Sequence, residues 1–437
     1  MLNLSLLSFF YILFTSSRVY PLAILMILIL LYYMTSLSMS RNSPLLSVMG
    51  DMLHDEIGLF ISLLTFFIIV MSFVYALSFS NYKLITVTLL SLLFFCLQVF
   101  TTDSMFLLYF FYESSLVPIL FIIVKWGSYP ERSIRAIVIL FYTLFFSAPF
   151  ILILVTIYLS LMTFSFSILT MYRYSSTLLV TVLIFIAFAV KLPIYGLHQW
   201  LPIAHVEAPT FGSVILAALL LKLGGVGLVR MLPFINISHL TSSILGYLMV
   251  MTVFSFLCCC FQSDIKRLIA YSSVAHIMTV PILVLSMNIL SVQSIVIIML
   301  FHGLRSSILF MLVGTLYSMY GRRQLVLIRG LILISPLLRF LAILMFFFTI
   351  SAPPFPSFIA EVYFMISSYI ISANLVWVFI PIVFLGLLYN LNWLVSVLFR
   401  GSININYSES NIKYVYMIPL ALILINTLSF MFIFFLF

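Results

Sequence analysis

Apolar stretches of around twenty residues recur from the first residue to the last of this 437-residue sequence, and that recurrence restricts the available folds more than any other feature. A helix of about twenty apolar residues crosses the ~30 Å hydrocarbon core of a bilayer, and lipid leaves backbone amides no partner outside such closed structures. Only 7% of residues are charged and 65% are hydrophobic, whereas soluble proteins carry about a quarter charged residues. The chain therefore reads as an integral, all-α membrane protein. Cutting at polar or Pro/Gly breaks gives about fourteen spans, judged by the length a crossing needs. No Pro/Gly/Ser-rich linker separates them, so residues 1–437 are expected to form a single polytopic membrane domain.

The formal net charge is +9, but the cations are scattered among loops, which excludes a nucleic-acid partner and leaves lipid as the surrounding medium. Loops on one side carry about twelve Lys and Arg and loops on the other about three, Arg41, Arg173 and Arg230. By the positive-inside rule both termini face outward. The opening MLNLSLLSFFYILF has neither a charged n-region and cleavage site nor an Arg-rich amphipathic pattern, and it reads as the first helix. Cys258, Cys259 and Cys260 are consecutive, so on a helix they point about 100° apart and cannot share a metal. Cys96 stands alone, and no disulfide framework follows. Gly224, Gly225 and Gly227 form no GxGxxG and suit close helix packing. HVEAP is not HExxH, so no zinc site is expected. Ser272, Ser273, Ser306 and Ser307 are expected to bond helix backbone or water.

Against this apolar background stand Glu113 in FLLYFFYESSLVPIL, Lys191 in LIFIAFAVKLPIYG, Lys222 in VILAALLLKLGGVG and Glu361 in PSFIAEVYFM. Each costs about 2.5–3.5 kcal/mol at a helix centre, roughly 10–14 kcal/mol for the four. A cost of that size points to use, and the structural alternative is that the charges pair only to pin helices. A lysine taken out of water holds its proton less firmly, and a nearby carboxylate restores the hold. A Glu113–Lys191 pair would therefore act as a switch governed by one distance. His276 and His302 lie in expected helices, and His198 and His205 flank Trp200; an imidazole both accepts and donates near neutrality, which suits a proton relay.

Prolines interrupt two of the long spans: Pro193 and Pro202 in VKLPIYGLHQWLPIAH, and Pro353, Pro354 and Pro356 in ISAPPFPSFIAE. Broken helices at membrane depth are tolerated where they are buried in protein or line a water-filled cavity. Lys191 sits beside the first and Glu361 beside the second. These are the seventh and twelfth spans, and an odd offset of five reverses direction, as in an inverted repeat. Two incidental proline kinks are the alternative.

The stretch AVKLPIYGLHQWLPIAHVEAPTFGSVILAALLLKLGGVGLVR, with SDIKRLIAYSSVAHIM, FHGLRSS and the glutamate after the second interruption, resembles the antiporter-like proton-conducting subunits of mitochondrial complex I, NADH:ubiquinone oxidoreductase. The likeness is close between about residues 100 and 365. It implies fourteen helices and an antiporter-like core over about 84–400, built from two inverted five-helix repeats with broken helices 7 and 12. N-terminal helices would occupy 1–80 and a C-terminal helix 414–437. It also implies a proton relay of Glu113, Lys191, Lys222, His276, His302 and Glu361, with His198, His205 and Glu207 as accessory members. Glu361 resembles the subunit 4 branch, since sister subunits 2 and 5 typically carry lysine there. Arg305 departs from the family, which usually has a neutral residue after HGL. The resemblance further implies no cofactor in this chain: NADH, FMN, iron–sulfur clusters and ubiquinone would be bound by other subunits. The partners would be those subunits, with subunits 2 and 5 as membrane neighbours. The location would be the mitochondrial inner membrane, with both termini in the intermembrane space. Two other functions fit the same residues, a cation/proton antiporter subunit of this fold and a structural scaffold of the membrane arm.

Overall fold

The computed structural model describes residues 47–49, 52–54, 56–76, 81–171, 177–234, 241–286, 288–325, 336–353 and 355–399. The spans expected at 2–15, 19–39 and 414–437 lie outside these residues. Seven of the described helices are long and apolar enough to cross a membrane by length and composition: Tyr82–Thr101, Met105–Trp126, Arg132–Leu161, Thr210–Arg230, Ile265–Ser286, Leu290–Ser318 and Ala373–Leu398. Besides the helices, the described residues include one short antiparallel ribbon, Ser47–Met49 against Met52–His54, which leaves the architecture all-helical. Its six residues lie in the polar segment between expected spans, where the chain pairs with itself instead of crossing lipid.

Side chains sort by solvent as a bilayer requires. On Arg132–Leu161 the outward face carries Ile134, Phe141, Phe145, Leu152 and Leu159, each about two-thirds or more exposed, whereas Ala136, Thr143, Ser147 and Phe150 are buried. A face of exposed large apolar groups is the membrane pattern, because lipid offers no advantage for burying leucine. Thr210–Arg230 is the opposite case, with 94% of its apolar window buried against 33% for Arg132–Leu161. Hydroxyls inside the helices close on their own backbone: Ser272 donates to Ile269 O, Ser273 to Ala270 O, Ser306 to Gly303 O and Ser307 to Leu304 O. That satisfies each polar group within its own helix, as the sequence led us to expect.

The described residues form two compact units, one within 1–191 and 207–236 and one within 192–206 and 237–437. In the first, Glu56–Ala76 packs on Tyr82–Thr101, and Leu178–Ala189 packs on both Arg132–Leu161 and Leu221–Arg230. The last contact is tight, since a Cβ at Gly227 would lie 2.3 Å from the Phe188 ring. In the second, Ile289–Tyr320 packs on Pro356–Ile371, and Thr241–Cys260 on Ala373–Phe399. Helix ends fall near the prolines. Helix Leu178–Ala189 gives way to turns before Trp200–Glu207, and Pro336–Thr349 stops before Pro356–Ile371. Each interval holds a left-handed residue, Gly196 at φ +100° and Ser351 at φ +59°. Glycine adopts that geometry without steric penalty; serine does so at a cost of about 1–2 kcal/mol.

Candidate proton-relay sites

Within the first unit, Met105–Ser114 and Leu116–Trp126 meet at Ser115, whose hydroxyl donates to the carbonyl of Tyr112 at 2.7 Å. The same carbonyl accepts the Lys191 amine at 2.5 Å. That amine also lies 3.2 Å from the centroid of the Tyr112 ring, whose hydroxyl in turn donates to Ala187 O at 3.2 Å. One tyrosine thus offers the ammonium a carbonyl dipole and a π face, the latter contributing about 0.5–2 kcal/mol. Lys191 is 2% exposed. Glu113 follows Tyr112 directly, and both its carboxylate oxygens are buried with no hydrogen-bond partner among the described residues. Glu113 and Lys191 are not in ion-pair contact, although the carboxylate acts electrostatically on the amine. The pair expected from sequence is open, with the lysine on its neighbour's carbonyl.

Lys222, 1% exposed, follows a π turn at Leu216–Leu220. The side-chain amine of Lys222 donates to Ala217 O, five residues back and inside that turn, at 2.6 Å. Two other buried charges of this unit meet partners within it. Arg230 donates to Val99 O at 2.9 Å, Phe100 O at 2.5 Å and Thr102 O at 3.1 Å, a cation set on the open carbonyls and negative dipole end of Tyr82–Thr101. Glu207 faces the Arg135 guanidinium at 3.2 Å.

In the second unit a cavity of about 80 Å³ of space open to the centres of water-sized spheres is lined by His276, His302, Arg305, Ser351 and Glu361 among others. A water needs roughly 10–15 Å³ on that measure, so there is room for several. The Ser351 hydroxyl donates to Glu361 Oε1 at 2.6 Å. Arg305 Nη1 donates to Thr349 O at 3.4 Å, at the end of Pro336–Thr349. His276 Nε2 lies 3.4 Å from the Tyr389 hydroxyl, and its ring centre is 6.5 Å from that of His302. The cavity brings a carboxylate and two imidazoles to one space with room for water, which is the composition a proton wire needs.

The remaining expected residues sit elsewhere. His198 stacks on Tyr195 at 4.6 Å and accepts the Gly196 amide at Nδ1, 3.2 Å away. His205 stacks on Phe310 at 4.6 Å. Neither lines the cavity. Tyr112, Tyr389 and Ser351 join the sites without having been anticipated. The position of Ser351 just before Pro353 and Pro354 was the available clue, whereas nothing local in the sequence distinguishes Tyr112 or Tyr389 from the other 22 tyrosines.

The family model for the transmembrane region of NADH:quinone oxidoreductase and Mrp antiporter proteins matches residues 102–388. The NADH-ubiquinone oxidoreductase chain 4 of Chondrus crispus is 36% identical over 388 residues, 85% of this chain and 78% of that protein. Its counterpart from Paracentrotus lividus is 35% identical over 350 residues, 76% and 74% of the two chains. A chain of the respiratory complex I of Thermus thermophilus with bound NADH superposes with a TM-score of 0.82 over 98% of this chain and 94% of that one; at 20% identity the likeness speaks for the fold. With the family model matched across most of its length and relatives above 30% identity covering most of theirs, the chain belongs to the NADH:quinone oxidoreductase/Mrp antiporter family of membrane subunits, on the branch of the NADH-ubiquinone oxidoreductase chain 4 proteins.

Proposed function

We propose that this chain is a proton-translocating core subunit of the membrane arm of respiratory complex I. It converts a change transmitted from NADH-to-ubiquinone electron transfer in other subunits into proton movement across the mitochondrial inner membrane. The observation that carries the reading is the presence, in each compact unit, of ionisable groups inside apolar helices: buried Lys191 and Lys222 with the buried carboxylate oxygens of Glu113 in one, and buried His302 with half-buried His276 and Glu361 around one cavity in the other. Moving one charge against the membrane potential takes about 2.3 kcal/mol per 100 mV, and the relay itself supplies none of it. The redox groups, NADH, FMN, iron–sulfur clusters and ubiquinone, are assigned to partner subunits, with subunits 2 and 5 as membrane neighbours.

In this reading the relay lies in an antiporter-like core of two inverted five-helix repeats within about 84–400, part of a single fourteen-helix membrane domain with both termini in the intermembrane space. Lys191 holds a proton while its ammonium rests on the Tyr112 carbonyl and ring. Approach of Glu113 strengthens that hold and withdrawal weakens it, passing the proton to Lys222 and then along His276 and His302 to Glu361. His198, His205 and Glu207 are accessory. A free-standing cation/proton antiporter would use the same groups without a redox partner, and the chain 4 relatives favour the first reading.

The test is Lys222→Ala in the intact complex, reconstituted in vesicles with a pH-sensitive dye. Pumping driven by NADH is expected to fall with assembly retained, and native pumping by the assembled variant rejects the proposal.

A further inference from the structure

Arg305 is 5% exposed, lines the Glu361 cavity, and makes one long hydrogen bond, to Thr349 O at 3.4 Å. A guanidinium has five donors and stays charged, so a single carbonyl leaves most of its charge uncompensated. Leaving a buried charge without an opposite one costs several kcal/mol, which makes the identity of the countercharge decisive. Of the chain's ten acidic residues, the described part of this unit holds two. Asp264 caps the helix Ile265–Ile277 by accepting the Lys266 amide. Glu361 remains, on the wall of the same cavity.

The two are not in ion-pair contact, yet each acts electrostatically on the other. Both line a cavity with room for water. The other polar groups around Glu361 are His302 from the same helix as Arg305, His276 from Ile265–Ile277 and Thr279 just after it, Tyr389 from Ala373–Phe399, Ser357 from Pro356–Ile371, and Ser351 and Thr349 at the interruption. Arg305 alone among them is a permanent cation.

We propose that Arg305 is the fixed countercharge of Glu361, acting across the cavity through water and holding Glu361 as a carboxylate between proton transfers. This deepens the relay reading of Glu361 and rests on it. A proton arriving on Glu361 converts carboxylate to carboxylic acid and leaves the guanidinium as a lone buried cation, so the protonated state is brief and the proton moves on. A direct salt bridge would seal both groups; separation by water keeps Glu361 open to its donors and acceptors. Arg305 is a positioning residue here, because it exchanges no proton.

Dicyclohexylcarbodiimide adds to protonated carboxyl groups in apolar surroundings, so its attachment to Glu361 in the intact complex, mapped by mass spectrometry at pH 8, reads the protonated fraction. Arg305→Met is expected to raise labelling of Glu361 by about tenfold or more, the scale set by removing an opposite charge, while Arg305→Lys keeps labelling near native. Native labelling in Arg305→Met overturns the proposal. Should Arg305→Met fail to assemble, the double variant Arg305→Met/Glu361→Gln must assemble, because neither charge is then left alone; failure of both variants also overturns it. Native pumping by Glu361→Gln would reject Glu361 as a relay group and leave the labelling result intact, so the two readings fail separately.

Discussion

The two units solve the problem of a charge in lipid in different ways. In the first, both lysines rest on backbone carbonyls, Lys191 on Tyr112 O and Lys222 on Ala217 O. These carbonyls are exposed by local irregularity, a helix junction at Ser115 and a π turn at Leu216–Leu220. In the second, Glu361 is met by side chains, the Ser351 hydroxyl at 2.6 Å and a cavity carrying Arg305, His276 and His302. A cation needs acceptors, and backbone carbonyls are acceptors wherever a helix departs from its regular ladder. A carboxylate needs donors, and within a helix the backbone N–H groups are already used, so hydroxyls, guanidinium and water must serve. For Lys191, Lys222 and Glu361 the sign of the charge goes with the architecture around it, altered backbone for the lysines and a polar cavity for the glutamate, whereas Glu113 has no hydrogen-bond partner among the described residues.

This contrast is open to several challenges, of which the largest concerns Glu361. Glu361→Gln removes the only acidic group that lines the cavity among the described residues and should lower NADH-driven pumping by on the order of tenfold or more, the scale of losing a positioned acid–base group; unchanged pumping would make the cavity a passive feature. Glu113→Gln should reduce turnover several-fold, and Glu113→Asp, which keeps the charge, should restore about half of it. Equal loss in both would show that volume rather than charge matters at this position. Arg230→Met separates structural from relay charge. Loss of its three carbonyl contacts should cost about 2–3 kcal/mol of stability, seen as faster thermal inactivation, with the number of protons pumped per NADH unchanged. Ser351→Ala is the mildest. It deletes one hydrogen bond to a charged group, about 1.5–3 kcal/mol, partly offset by water in the cavity, so pumping should fall no more than a few-fold. Ser351→Gly, which also relieves the left-handed strain, should assemble at least as well as Ser351→Ala.

The charges themselves were legible in the sequence because lysine and glutamate in apolar runs are costly and therefore conspicuous. The ends of helices Leu178–Ala189 and Pro336–Thr349 fall close to Pro193 and Pro353, where the loss of a backbone donor is written in the sequence. What each charge touches was not legible. Lys191 was expected to meet Glu113, but the contact is with the carbonyl of the residue before it, and a carbonyl has no sequence signature. Arg230 was counted as a loop cation for topology, although it is buried on a helix end 128 to 131 residues away in sequence. Arg305 stood out only as a departure from family pattern; its place on the Glu361 cavity depends on the packing of Ile289–Tyr320 against Pro356–Ile371, a long-range fact.

In the proposed relay the lysines of the first unit and Glu361 of the second serve one proton route in series. NADH-driven pumping by the assembled Glu113→Gln/Glu361→Gln double variant, set beside the two single variants, tests it most directly. Residues that act in one sequence are strongly non-additive, so the account predicts that the double variant pumps no less than the slower single one. If instead the two losses multiply, the halves work independently and the single-route account is wrong.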